Sequence, residues 1–67
     1  MVTRIFLRSR EDGRFVSGDL TWSQQLAQAE LFPNALSAEQ FARTHKLKRM
    51  EIIIMREKMT DLRVPLD

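Results

Sequence analysis

The segment Met50-Glu51-Ile52-Ile53-Ile54-Met55 is the most apolar run of the chain, and it predicts the central element of the fold. Three consecutive β-branched residues within a run of six favour a central β-strand over a helix. In such a strand the even-numbered residues point to one face of the sheet, and Ile53 and Met55 point to the other. A strand that is apolar on both faces needs a cover on each of them.

An N-terminal hairpin precedes this strand in the sequence. Residues 3–9 alternate with period two and contain β-branched and aromatic residues, which is typical of a strand. The following Arg10-Glu11-Asp12-Gly13 is a turn sequence whose glycine can adopt a positive φ. A four-residue loop sets Leu7 opposite Val16 and places both on the same buried face as Ile5.

The clearest local signal in the chain predicts a helix. Ser37 lies three residues before Gln40, which is the spacing of a capping box. Leu36 and Phe41 have the spacing of a hydrophobic staple around the same helix start. We therefore expect a helix from about residue 38 to residue 46, with a narrow apolar stripe that covers one face of the sheet.

These elements predict one α+β domain over residues 1–67: a small antiparallel sheet of three to four strands with one main helix packed on one face. The expected order is β-β-(short helix)-(β)-α-β, with the short helix after Ser23 and the optional strand at residues 30–32. The tail, residues 57–67, alternates apolar residues but contains Pro65. Three structures fit this tail: an edge strand, an arm that grips a partner or a frayed end.

Composition excludes several classes of site. The chain has no cysteine, which removes disulfides and thiolate metal sites, and its single histidine, His45, does not make a transition-metal site. We expect no cofactor and no metal. No apolar run approaches the ~20 residues that cross a bilayer, and none near the N-terminus suits a signal peptide, so a cytoplasmic protein without a membrane partner is expected. No catalytic constellation is recognisable, so the protein is not expected to be an enzyme.

The sheet face opposite the helix, or the C-terminal tail, is the predicted surface of self-association. One helix covers one face, and a core of this size rarely contributes more than roughly 3–5 kcal/mol, so a partner subunit is a common reinforcement. We therefore expect a self-associating interaction module, a homodimer, with another protein as a further possible partner. Its surface residues are expected to be Phe6, Phe15, Ile53, Met55 and Trp22. For Trp22, a place at the end of the core is favoured over a place in an interface.

Nucleic-acid binding is the alternative function. Arginines that flank aromatic rings on a sheet can hold single strands, with bases stacked on the rings and phosphates paired to the cations. The net charge of +2 is small for such a protein, so this function is not favoured. The predicted basic patch consists of Arg4, Arg8, Arg10, Arg14, Lys46, Lys48 and Arg49.

One pattern runs through much of the chain. It consists of Asp12-Gly13-Arg14-Phe15, Trp22 and Ala38-x-x-Phe41-Ala42. In this order of positions the chain resembles many short bacterial and phage proteins. The shared positions are structural, and the resemblance implies neither a family nor an activity.

Overall fold

A computed structural model describes residues 3–66, which form a five-stranded antiparallel sheet with one α-helix on one face. The strands are β1 (Thr3–Ser9), β2 (Phe15–Val16), β3 (Trp22–Ser23), β4 (Met50–Arg56) and β5 (Leu62–Pro65). A 3₁₀ turn (Leu26–Gln28) and the helix α1 (Ala35–Thr44) lie between β3 and β4. The strand order across the sheet is β3-β2-β1-β4-β5. The predicted α+β class is confirmed, with five strands instead of three to four.

The apolar run forms β4, which lies between β1 and β5. Its even-numbered residues Met50, Ile52 and Ile54 belong to the core beneath the helix, as predicted. Ile53 is buried outside that core cluster, opposite Phe6 of β1. Both faces of β4 are therefore covered, which explains why its sequence lacks the polar alternation of a half-exposed strand.

The N-terminal hairpin has the predicted register. Arg8 pairs with Phe15, and the Ser9 N–H donates to the Arg14 carbonyl at 2.8 Å, so the loop contains four residues. Gly13 ends this loop at φ +72°, a conformation that glycine adopts without a steric cost.

The helix begins three residues earlier than predicted. The Asn34 side chain accepts a hydrogen bond from the Ser37 N–H at 2.8 Å and so acts as the N-cap. Ser37 lies inside the first turn, and Leu36 is exposed. The predicted capping box and hydrophobic staple were therefore wrong. Asn34 is an equally good cap residue, and its use adds a further turn of helix.

Two alanines let α1 approach the sheet closely. Ala38 and Ala42 are buried and belong to one cluster with Leu7, Val16 and Ile52. Because neither alanine has a side chain beyond Cβ, the larger strand residues fill the space between the two layers.

The segment between β2 and α1 differs in detail from the prediction. The extra strand, β3, precedes the 3₁₀ turn and includes Ser23, whose hydroxyl accepts the Gln25 N–H at 3.1 Å. Residues 30–32 do not form a strand. They are nevertheless held to the sheet, because the Glu30 N–H donates to Val16 and the Phe32 N–H to Ile5, at 3.1 and 2.8 Å.

The tail forms the edge strand β5, one of the alternatives left open by the sequence. Leu62 pairs with Ile54, and Val64 pairs with Ile52. Asp67, the last residue of the predicted tail, lies outside the described residues. Pro65 stands at the end of an edge strand, where a missing N–H is tolerated.

Candidate functional site

The sheet face opposite α1, called here the open face, carries four of the predicted interaction residues. Phe6 is 1% exposed and Ile53 is 4% exposed, while Phe15 and Met55 are half-buried. The rings of Phe6 and Phe15 form an edge-on contact with centroids 5.1 Å apart. The expectation that this face is uncovered is thus corrected for Phe6 and Ile53, because the chain's own side chains bury them. A ring as buried as Phe6 is not available to stack on a base.

Charged side chains surround the apolar centre of the open face. Arg8 is paired with Glu51, which stands opposite it on β4. A shallow cavity of about 210 Å³ is lined by Arg8, Ile53, Asp61 and Arg63. The side chains of opposite charge are therefore mixed on this face, and they do not form one continuous positive surface.

Trp22 lies apart from the other predicted interaction residues. It pairs with Val16 in the edge strand β3, and Val16 belongs to the core on the helix side. Its side chain is exposed, so it does not plug the core. The structure places Trp22 on the other side of the sheet from Phe6 and Ile53, because neighbours in register point to the same side.

The turn beside Trp22 contains a hydrogen-bonded carboxylate. Asp19 accepts the Thr21 N–H at 3.2 Å and also the hydroxyl of Ser17. The hydrogen bond from Ser17, and then those from Thr21, hold the pKa of the Asp19 carboxyl below its ordinary value of 3.8. Asp19 is fully exposed, and its hydrogen bonds explain its presence as a residue that stabilises the turn.

The predicted basic patch divides into a cluster and two outlying arginines. The hairpin loop and the loop after α1 meet at one end of the sheet, where the Arg10 N–H donates to the Arg49 carbonyl at 2.8 Å. Arg8 is paired with Glu51, and Arg4 stands opposite Met55 towards the other end of β1. The cluster, called here the basic end, consists of Arg10, Arg14, Lys46, Lys48 and Arg49.

Acidic residues neutralise part of the basic end. Glu11 forms an ion pair with Arg49, and Asp12 lies 3.8 Å from Arg14. Lys46 and Lys48 form no ion pair with any residue between 3 and 66. The positive charge that remains at this end is therefore concentrated on the loop that follows the helix.

That loop begins with a Schellman motif that has lysine in the glycine position. The Leu47 N–H donates to Ala42 at 2.9 Å, and the Lys46 N–H donates to Arg43 at 3.1 Å. Lys46 has φ +54°, in the left-handed region where glycine is usual. The motif holds a charged side chain at a defined position at the helix end, at a cost in backbone strain.

The outer edge of β5 is the longer of the two sheet edges. The Leu66 N–H donates to the Met50 carbonyl at 3.0 Å, so Leu62 and Val64 also direct their backbone groups towards β4. By alternation, Asp61 and Arg63 direct theirs outward, away from the sheet. Leu62 and Val64 point their side chains to the helix side, where they remain 44% and 42% exposed.

Sequence reasoning missed the outward groups of β5 and the partner of Arg8. An alternating tail with one proline already favours an edge strand, so its outward residues follow once the pairing is known. Glu51 was recognisable as a charge inside an apolar strand, which is rarely buried without a partner. The identity of that partner depends on the β1–β4 register.

Metal-binding groups do not converge in the described part of the chain. His45 caps the C-terminal end of α1, and its ring lies 4.4 Å from that of Phe41. Among residues 3–66, no three His, Asp or Glu side chains are grouped so that they could hold a metal ion. No helix in this range is long and apolar enough to cross a membrane.

Comparison of the chain with protein-family models, with curated proteins and with solved structures found no significant match. The function must therefore be inferred from the two surfaces described above, the edge of β5 and the basic end.

Proposed function

We propose that the protein is a non-enzymatic module that forms a homodimer through antiparallel pairing of two β5 strands. The observation that carries the proposal is the outer edge of β5, which has outward backbone groups and two exposed apolar side chains. Such an edge is a template for pairing with another chain. The dimer would join two five-stranded sheets into one.

Charge complementarity selects one register for the pairing. When Asp61 stands opposite Arg63 of the second copy, the two-fold axis repeats the same pair, and each pair exchanges two backbone hydrogen bonds. Opposite charges directly across a strand pair are stabilising. A shift by two residues instead sets Arg63 opposite Arg63 of the second copy. It also sets Asp61 opposite Pro65, which has no N–H to donate.

The same register brings apolar side chains together. Leu62 stands opposite Leu62 of the second copy, on the helix side of the sheet, with Val64 beside it. Both side chains are exposed in the single chain, so pairing removes apolar area from water. The contact is small compared with a standard interface, so we expect a dimer that dissociates in the micromolar range.

The other sheet edge is less suited to pairing. β3 contains only Trp22 and Ser23, and very short edge strands are one way in which proteins avoid edge-to-edge association. The open face is also less suited, because Phe6 and Ile53 have little area left to bury.

Sedimentation equilibrium on charge variants tests the proposal. Arg63→Asp sets two carboxylates opposite each other in both symmetric pairs, and it should weaken the dimer roughly tenfold. Asp61→Arg should do the same with two cations. The double variant Asp61→Arg/Arg63→Asp restores opposite charges and should restore association. A wild-type monomer at tens of micromolar, or single variants that associate as the wild type does, would overturn the proposal.

Two leucine-to-lysine variants provide the matched control. Leu62→Lys places two cations at the centre of the pairing and should abolish the dimer. Leu31→Lys changes a leucine away from β5 that is 55% exposed, against 44% for Leu62, and should leave association unchanged. Equal loss of association in both variants would point to a general effect of charge and would contradict pairing through β5.

A further inference from the structure

A groove lies between the C-terminal half of α1, the loop that follows it and the end of β5. Its volume is about 360 Å³, within the range of ligand sites. The apolar lining comes from Ala42, Leu47 and Leu66. The charged lining comes from Glu39, Arg43, Lys46 and Lys48.

The charges of the groove are unequally compensated. Arg43 is paired with Glu39 at 2.7 Å across one turn of the helix. Lys46 and Lys48 are exposed and form no ion pair with any residue in the described range. The groove thus combines an aliphatic surface with two cations that have no ion-pair partner among residues 3–66.

One of these cations belongs to a residue with a strained backbone conformation. Lys46 occupies the left-handed position of the Schellman motif, where glycine would be free of strain. Strained residues concentrate where a side chain or backbone has a binding role. Leu20, Arg49 and Lys58 share this conformation, but among these four residues Lys46 alone lines the groove, and this combination points to a ligand for the lysine.

We propose that this groove binds an acidic segment of a partner protein, with an apolar side chain on Leu47 and Leu66 and carboxylates on Lys46 and Lys48. Charge complementarity argues for the acidic partner. The aliphatic lining argues for a peptide over a nucleic acid, because no aromatic side chain lines the groove for base stacking. The proposal does not depend on the pairing of β5.

Fluorescence polarisation with a labelled hexapeptide tests this inference. The probe has two leucines flanked on each side by two glutamates, and it should bind at low salt. A peptide with glutamines for the glutamates, and another with serines for the leucines, should each bind more weakly. A labelled oligothymidylate of similar charge is the nucleic-acid probe. If it binds and the acidic peptide does not, the ligand class is wrong.

Two lysine variants locate the binding. Lys46→Gly/Lys48→Gln removes both cations without straining the backbone and should weaken peptide binding roughly fivefold or more. Lys58→Gly is the matched control: Lys58 also has a positive φ, at 61°, but it follows β4, at the opposite end of that strand from Lys48. Equal loss of affinity in the two variants, or no binding of the probe to the wild type, would overturn the proposal.

The same titration separates this inference from the proposed dimer. Asp61→Arg, which is expected to break the pairing of β5, should bind the acidic peptide with wild-type affinity. Loss of peptide binding in that variant would contradict a groove that acts independently of the dimer.

Discussion

Arg8 and Glu51 stand directly opposite each other on β1 and β4, and the Arg8 Nε donates to the Glu51 Oε2 at 2.7 Å. The Arg8 Nη2 lies 2.5 Å from the same oxygen. Glu51 is buried and Arg8 is half-buried. This pair explains how a carboxylate is tolerated within the most apolar strand of the chain, since a buried charge requires a partner.

Removal of the Arg8 side chain should therefore lower the free energy of unfolding more than removal of the Glu51 carboxylate. Arg8→Met leaves the buried carboxylate unpaired and should lower the free energy of unfolding by about 2 kcal/mol, below the ~3–5 kcal/mol of fully buried pairs because Arg8 is partly exposed. The double variant Arg8→Met/Glu51→Leu should regain most of the loss. Urea unfolding of the four proteins in a double-mutant cycle measures both effects. If the double variant instead loses the sum of the two single losses, the pair is not coupled.

The observed helix start predicts an asymmetry between two neighbouring polar residues. Asn34→Ala removes the N-cap and should cost about 1 kcal/mol. Ser37→Ala, inside the first turn, should change stability by much less. Chemical denaturation of both variants checks this, and the reverse order would favour the capping box expected from the sequence.

Relief of the strain at Lys46 should stabilise the protein. Lys46→Gly should raise the free energy of unfolding by about 1 kcal/mol, because glycine adopts the left-handed conformation without the steric penalty of a Cβ. Lys46→Ala removes the charge but keeps the strain, so it should not stabilise. A similar gain in both variants would assign the effect to charge repulsion at the basic end.

The turn at Asp19 predicts a dependence of stability on pH. Its hydrogen bonds lower the carboxyl pKa in the folded state, so the stabilisation is present above the ordinary value of 3.8 and is lost as the pH falls through the lowered pKa. The stability difference between the wild type and Asp19→Asn should therefore shrink on acidification. Thermal unfolding from neutral pH down to about pH 2 measures it. A difference that is constant over this range would contradict the role of Asp19.

Much of the sheet was predictable because strand alternation is a local signal. The pairing of Leu7 with Val16 and the division of β4 into two faces both follow from the period of two and from the four-residue loop. The helix start was less predictable because Asn34 and Ser37 are both good caps, and local chemistry does not choose between them. Asn34 becomes the N-cap in place of Ser37 because a helix that begins after Asn34 is longer by one turn.

The candidate sites were predictable only in part. The composition of the basic end was recognisable, but its separation from Arg4 and Arg8 required the register of β1 with β4. The groove was not recognisable, because Ala42, Lys48 and Leu66 come together only when β5 pairs beside the helix end. The C-terminal tail was one of the two predicted surfaces of self-association, but its place at the edge of the sheet required the strand order.

Local sequence patterns are sufficient to predict a small α+β domain with a central strand at residues 50–55 and an N-terminal hairpin. These features follow from the spacing of apolar residues and from the turn residues, which act over a few positions. The burial of Phe6 and Ile53 and the position of β5 at the edge of the sheet become clear only in the folded chain. Burial and pairing depend on residues far apart in the chain, and their contacts are set by strand register and strand order.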